Sequence, residues 1–359
     1  MSHSEDPNGP AGLGQRKDQH IDLVLERPVE HAAPTLLGDV NLLHDSLPEL
    51  DLADIRLDRR WFGRTLAAPL LVSGMTGGSD RAGAINRELA VAAEAAGVAL
   101  GTGSMRPLLA DPTRRPDYDL RPLAPSIPLL GNLGVMQAAE QDPRAVGEQL
   151  QGLGYDALCI HLNPAQELAQ AEGDRRFRGA LATIARWVQD CPLSVVVKET
   201  GAGMSPHALD RLRAAGADWV DVSGRGGTSW TKVEAERPGA DTFGRWFGDW
   251  GLPTAASVVW ARRRGLRAVA SGGIRDPHDA LRALALGADM VGIARPVLLA
   301  VAEGGAAGAE RWLKDFVEGL RRGLLLVGAA DIAGLRRLPR RIGPELASWL
   351  AIDSDDRLG

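Results

Sequence analysis

From Pro69 to Arg295 the chain alternates short apolar runs with amphipathic stretches. The runs are Pro69-Leu70-Leu71-Val72, Val98-Ala99-Leu100, Pro128-Leu129-Leu130, Ala157-Leu158-Cys159-Ile160, Ser194-Val195-Val196-Val197, Trp219-Val220-Asp221-Val222, Arg267-Ala268-Val269-Ala270 and Met290-Val291-Gly292-Ile293. Each is short, continuous and bounded by Gly or polar residues, as strands buried on both faces are. Ala- and Leu-rich segments with helical spacing lie between most of them, at 84–96, 180–189, 206–215 and 277–286. Eight strand–helix units in about 230 residues predict an α/β fold, a closed (β/α)8 TIM barrel over 69–300. A doubly wound open sheet is the alternative. It would need fewer strands and a point where their order reverses, and the rhythm shows no such break.

Outside that rhythm the pattern weakens. Residues 1–14 are polar and rich in Gly and Pro, which predicts disorder. Residues 15–68 read as an arm and cap segment, with a short strand or hairpin around Leu50 to Leu57. A long insertion at 224–252 follows the sixth run. Long loops in compact domains are usually functional or disordered. Trp230, Trp246 and Trp250 argue that this one is an ordered lid. From 301 to 359 a helical extension is expected to pack outside the barrel.

Composition narrows the partners. The 359 residues carry a net charge of −5 and are 45% hydrophobic, enough for a large core. That balance argues against nucleic acid or an anionic membrane as the main partner. No segment is long and apolar enough to span a bilayer, and residues 1–14 lack the apolar stretch of a signal peptide. Cys159 and Cys191 read as buried free thiols without metal-site spacing. A reducing, cytoplasmic location is the expectation.

The ends of the runs carry the chemistry. The fourth breaks directly into His161-Leu162-Asn163-Pro164-Ala165-Gln166-Glu167. Pro164 stops the strand, so a dense polar cluster stands at the strand end where parallel α/β folds collect chemistry. A plain turn with Asn163 as a helix cap is the simpler alternative. Ser73-Gly74-Met75-Thr76-Gly77-Gly78, Gly101 to Arg106 and Gly131-Asn132-Leu133-Gly134 end the first three runs. Their glycines let backbone amides come close to a planar or anionic ligand. Gly272-Gly273 and Gly292 to Arg295, after the seventh and eighth runs, suit a phosphate held at helix starts. Lys198, near the barrel mouth, needs an anionic or electron-rich partner, and a flavin ring would serve. Arg16-Lys17-Asp18-Gln19-His20 places three potential cations in five positions. A solvated helix start is the plain reading, although basic residues oppose the dipole at a helix N-terminus.

Taken in order, these motifs resemble one family, the FMN-dependent type II isopentenyl-diphosphate isomerases. The Arg-Lys-x-x-His start, Ser104-Met105-Arg106 and the His161 to Glu167 run are its specific elements. The turns after the seventh and eighth runs are shared by many FMN barrels. One departure is Ser73-Gly74, where the pattern leads one to expect Asn-Ala or a similar small pair. The resemblance implies FMN across the barrel mouth, with Gly74, Met75, Thr76, Gly77, Ser104, Asn132, Lys198, Ser223 and Thr228 against its ring and ribityl chain. Gly272, Gly273, Ile274, Ala294 and Arg295 would hold its phosphate. Arg16, Lys17, His20, Ser104, Met105, Arg106, His161, Asn163 and Gln166 would meet isopentenyl or dimethylallyl diphosphate, and Glu167 would bind Mg2+. His161 and Gln166 are the catalytic candidates, Gln166 for positioning or relay because an amide is a poor acid. NADPH would reduce the flavin, and a homo-oligomer, tetramer or octamer, is implied.

Other readings fare worse on the residues. An FMN-dependent 2-hydroxy-acid oxidase needs a base, normally His, near the sixth strand, and Val222 to Gly227 contains none. A dehydrogenase with a nucleophilic loop Cys finds Cys159 inside a strand and Cys191 before Pro192. A flavin-binding protein without turnover would not require Arg106, Gln166 and Glu167 in the mouth.

Overall fold

The computed structural model describes residues 10–75 and 77–352, and side chains from residue 14 onward. The eight apolar runs become β4 (Leu70–Val72) to β11 (Met290–Ile293), after three short strands, β1 (Val40–Leu42), β2 (Arg59–Trp61) and β3 (Arg64–Leu66). In order between them come β5 (Ala99–Gly101), β6 (Leu129–Gly134), β7 (Ala157–Leu162), β8 (Ser194–Glu199), β9 (Trp219–Asp221) and β10 (Arg267–Ala270). All eight are parallel, each pairs with the next, and β11 returns to β4 with Gly292 opposite Leu71. The sheet therefore closes, and the open-sheet alternative falls. A final strand, β12 (Arg340–Ile342), pairs antiparallel with β1, tying the two extensions together.

Five helices matter for the site: α1 (Pro10–Glu26), α2 (Asp80–Ala96), α3 (Pro164–Ala169), α4 (Trp230–Ala235) and α5 (Arg295–Leu326). Ser79 caps α2 by accepting from Ala82 N, and Gly97 ends it in the left-handed conformation. Helix α5 kinks where Gly304 and Gly305 leave helical geometry, then buries Leu313, Phe316, Leu320 and Leu324. Among the described residues no helix is long and apolar enough to cross a membrane.

Two expectations shift. Of the segment 1–14, residues 1–9 lie outside the described residues, and 10–14 belong to α1, whose first residue is a helix-compatible Pro. Residues 50–57 hold no hairpin. Asp54 turns back to accept from Asp51 N at 2.9 Å, closing a single 3-10 turn at Leu52–Asp54. The hairpin is β2–β3, a few residues later, and it forms the barrel floor. Its Trp61 ring lies 5.5 Å from Trp219, over which Arg267 packs at 4.8 Å. Such aromatic pairs contribute about 0.5–1.5 kcal/mol beyond the area they bury.

Asp156 fastens that floor to the wall. Its carboxylate accepts from Arg64 Nε at 2.7 Å, Arg121 Nη2 at 2.7 Å and Leu129 N at 2.9 Å. Asp156→Ala should therefore lower the stability by about 2 kcal/mol or more, the scale of a charge-assisted bond left unmade. Denaturant unfolding followed by tryptophan fluorescence checks this.

Candidate active site

The C-terminal ends of the strands open into two adjoining cavities. The first is walled by Gly74 and Met75 after β4, Ser104 after β5, Asn132 on β6, Lys198 on β8, Ser223 and Thr228 after β9, Gly272 to Arg275 after β10, and Ala294 and Arg295 after β11. Its glycines are required by packing. Gly272 and Gly273 have φ of 92° and 78°, and a Cβ on Gly272 would lie 2.1 Å from the Gly224 carbonyl oxygen. At Gly74 a Cβ would sit 2.0 Å from Thr102 O, so the expected Ala at this position would not fit without backbone movement. The buried Ser73 hydroxyl lines the same wall and has no protein partner among the described residues. A glycine cradle with left-handed turns, a free hydroxyl and a lysine suits a planar ligand with a terminal phosphate.

The second cavity is rich in charged side chains. Arg16, Arg106, Asn163, Glu167, Glu172 and Arg176 line it, and Lys17, His20, Ser104, His161 and Gln166 face both cavities. Asn163 stands at the N-cap of α3, but its side chain makes no cap bond there. Its Nδ2 donates instead to Glu167 Oε1 at 2.8 Å, so the plain capping alternative fails. Glu167 Oε2 accepts from Asp174 N at 2.7 Å. No group of three or more metal-binding side chains occurs among the described residues. A metal here would rest on fewer than three such side chains and would need other oxygens from water and ligand, a common magnesium arrangement.

Burial sets the charges. His161 Nδ1 lies 2.6 Å from Asn132 Oδ1, and burial, then Lys17 and Lys198, pushes its pKa down to about 3. The imidazole is neutral; with Nδ1–H donated to Asn132, Nε2 is left as an acceptor. Lys17 is pushed down to about 8 by burial and then by Arg16, with Arg106 adding to this and Glu234 and Glu167 opposing it. Burial also lifts the Glu199 carboxyl to about 7, although its Oε2 accepts from the amides of Thr200, Gly201 and Ala202. Cys159 is a buried thiol raised to about 12 by burial and Asp221, and it is inert.

Helix α1 lies over the mouth with Arg16, Lys17 and His20 inward, which rules out a merely solvated helix start. Helix α4 meets it there. Trp230 packs edge-on against His20, the ring centroids 5.4 Å apart. Glu234, one turn further on, joins His20 Nε2 at 3.1 Å, Gln166 Nε2 at 3.0 Å and Arg237 Nη1 at 2.7 Å. Arg237 and Arg16 both pair with Glu172, at 2.9 and 3.3 Å. Burial opposes the charge on Glu234, but the bonds from His20, Gln166 and Arg237 outweigh it and keep the carboxylate ionised. Burial lowers the pKa of His20.

Two expected residues stand apart. Met105 is 1% exposed and packs in the core, lining neither cavity. Gly77 packs against Tyr118, where a Cβ would come 2.7 Å from the phenol oxygen. Thr76 lies outside the described residues. Of the lid tryptophans only Trp230 turns inward; Trp246 and Trp250 are exposed. The sequence reading gave no site role to Glu234 or Arg237, named Ser73 and Ser271 only as parts of strand-end motifs, and read Trp230 only as a sign of an ordered lid. Trp230 and Glu234, four residues apart on one helix face in a glycine-rich insertion, were the available signal.

The pattern of the FMN-dependent dehydrogenase family matches residues 161–339. The chain is 43% identical over 334 residues to an isopentenyl-diphosphate delta-isomerase of Synechococcus sp., covering 91% of this chain and 96% of that protein. Enzymes of the same name from Pyrococcus furiosus and Cronobacter sakazakii are 39% and 42% identical, over 93% of this chain and 88% and 98% of their own. Among solved structures, mandelate oxidase with (S)-2-phenylpropionate superposes with a TM-score of 0.61 at 19% identity, covering 93% of this chain and 98% of that one. At that identity the likeness shows the fold alone.

Glu234→Gln should loosen the mouth, because it leaves Arg237 buried beside a neutral amide. Hydrogen exchange in α1 and α4 should rise about tenfold or more while β4–β11 stay protected. Each tenfold corresponds to about 1.4 kcal/mol of local opening.

Proposed function

The chain belongs to the type II isopentenyl-diphosphate delta-isomerases, FMN-dependent enzymes of isoprenoid biosynthesis that interconvert isopentenyl and dimethylallyl diphosphate, and we propose how its two cavities divide that work. One observation carries the reading. A glycine-walled cavity and a charged one meet at His161 and Gln166. The first would hold FMN, its phosphate at Gly272, Gly273, Ile274, Ala294 and Arg295 and its ring by Gly74, Met75, Asn132 and Lys198. The second would hold the diphosphate through Arg16, Lys17 and Arg106, with Mg2+ on Glu167.

The reaction adds a proton at one carbon and removes one from another, with no net redox. An isolated alkene is weakly basic, and the cation formed from it must be kept from water. Reduced FMN, when bound, would supply an electron-rich ring able to stabilise such a cation. The protein's part is positioning and exclusion. Helices α1 and α4 close over the mouth, with Trp230 against His20. Gln166 is fixed by donating to Glu234, and its role in this reading is to orient or relay a proton. His161, neutral and anchored on Asn132, offers an acceptor at Nε2. NADPH fits as a diffusible reductant of the flavin, and a tetramer or octamer remains part of this reading.

The test is anaerobic conversion of isopentenyl diphosphate. Product should form only with reduced FMN and Mg2+ together. Gly273→Asp, which sets a carboxylate against the phosphate turn, should give flavin-free, inactive protein. Conversion indifferent to flavin, or stoichiometric FMN in that variant, would sink the reading.

Arg16→Ala and Lys17→Ala should each raise the KM for the diphosphate by one to two orders of magnitude, roughly 1.4 to 2.8 kcal/mol, and leave FMN affinity unchanged. Lys17 also sets a pH limb. It is charged below about 8, so kcat/KM should fall as pH rises through that value. Lys17→Arg should carry the plateau to higher pH. Steady-state kinetics across pH 6–10 reads both effects, with the pH range chosen to span roughly two units either side of the limb.

A further inference from the structure

Lys198 enters the flavin cavity from β8, and its register partner on β9 is Asp221. Its Nζ stands 3.3 Å from Asp221 Oδ2 and donates to the Glu199 carbonyl at 2.8 Å. Asp221 is 1% exposed. Its Oδ1 accepts from Ser271 Oγ at 2.5 Å, and Ser271 is itself part of the cavity wall. Its Oδ2 has no hydrogen-bond partner among the described residues, so the ammonium opposite is what compensates it. A buried carboxylate is costly and does nothing for the backbone ladder of the barrel. The ends of three successive strands thus present one chain of groups, Ser271 just after β10, Asp221 on β9 and Lys198 on β8, that ends at the cavity.

We propose that Asp221 is a positioning residue for the flavin. It pairs with the Lys198 ammonium and aims it at the ring edge, so that the site favours the reduced, electron-rich form the isomerase uses. The proposal rests on the FMN reading above.

Two roles for this carboxylate predict opposite signs. If Asp221 acted only through its field, removing its negative charge would favour reduced flavin over oxidised. If it positions Lys198, Asp221→Asn strands a buried ammonium without its counter-ion. Lys198 then loses the contact that aims it at the ring, and reduced flavin is disfavoured.

The measurement is the ratio of affinities for reduced and oxidised FMN, read as the midpoint potential of the bound flavin in the full-length holoenzyme. Asp221→Asn should lower that ratio about tenfold, which for a two-electron couple moves the potential about 30 mV more negative. Lys198→Met should lower it at least as far, and the double variant no further than Lys198→Met. Ser271→Ala should give a smaller fall of the same sign, and it carries the test if Asp221→Asn does not fold. An unchanged or raised ratio in Asp221→Asn, no fall in Ser271→Ala, or an additive loss in the double variant would overturn the proposal. Failure of the parent protein to bind FMN would overturn the flavin reading as well. A parent that binds FMN beside an unshifted Asp221→Asn overturns this inference alone.

Discussion

The mouth of this barrel is held by the Glu234 carboxylate, whose side chain has no exposed surface. Its partners come from three separate parts of the chain: His20 on α1, Gln166 on α3, and Arg237 just after α4. A buried charge of this kind is tolerated only while its partners stay in place. The arm, the strand-end helix and the lid therefore assemble together or not at all. That constraint explains how a helix remote in sequence from the barrel presents Arg16 and Lys17 inward, and why the Gln166 side-chain amide has a fixed orientation.

Much of this was legible in the sequence, and the rest was hidden for physical reasons. The strands showed because a parallel strand covered on both faces must be continuously apolar, as Leu70–Val72 and Ala157–Ile160 are. Gly272 and Gly273 showed because left-handed backbone selects glycine. Glu234 did not, because a glutamate in a charged insertion looks like any solvated one until α1 folds over it. Met105 misled in the other direction. It sits in a polar motif between Ser104 and Arg106, but its side chain packs into the core behind them. The hairpin was misplaced because alternation of Asp and Leu around position 52 imitates a strand, while Asp51 and Asp54 close a turn.

The wall of the glycine-lined cavity is made by close backbone contact as much as by side chains. Where Gly74 faces Thr102 and Gly272 faces Gly224, there is no room for a methyl group. Such a wall is rigid and places amide groups at fixed depth, which suits a ligand that stays. The charged side is built from long side chains, Arg16, Lys17, Arg106 and Arg176, which can adjust as a ligand comes and goes. The two halves differ in stiffness, as the proposed division between a resident cofactor and an exchanging substrate would require.

The closure of the sheet also bears on how the chain is made. β4 cannot complete its pairing until β11 has been synthesised, and β1 waits longer still for β12. At 5–20 residues per second, the roughly 220 residues separating β4 from β11 take on the order of 10–40 s to emerge from a ribosome. For that interval the apolar edge of β4 has only β5 beside it. An unpaired strand edge is a template for pairing with another chain, so the open side of β4 is a point of edge-to-edge association until β11 arrives.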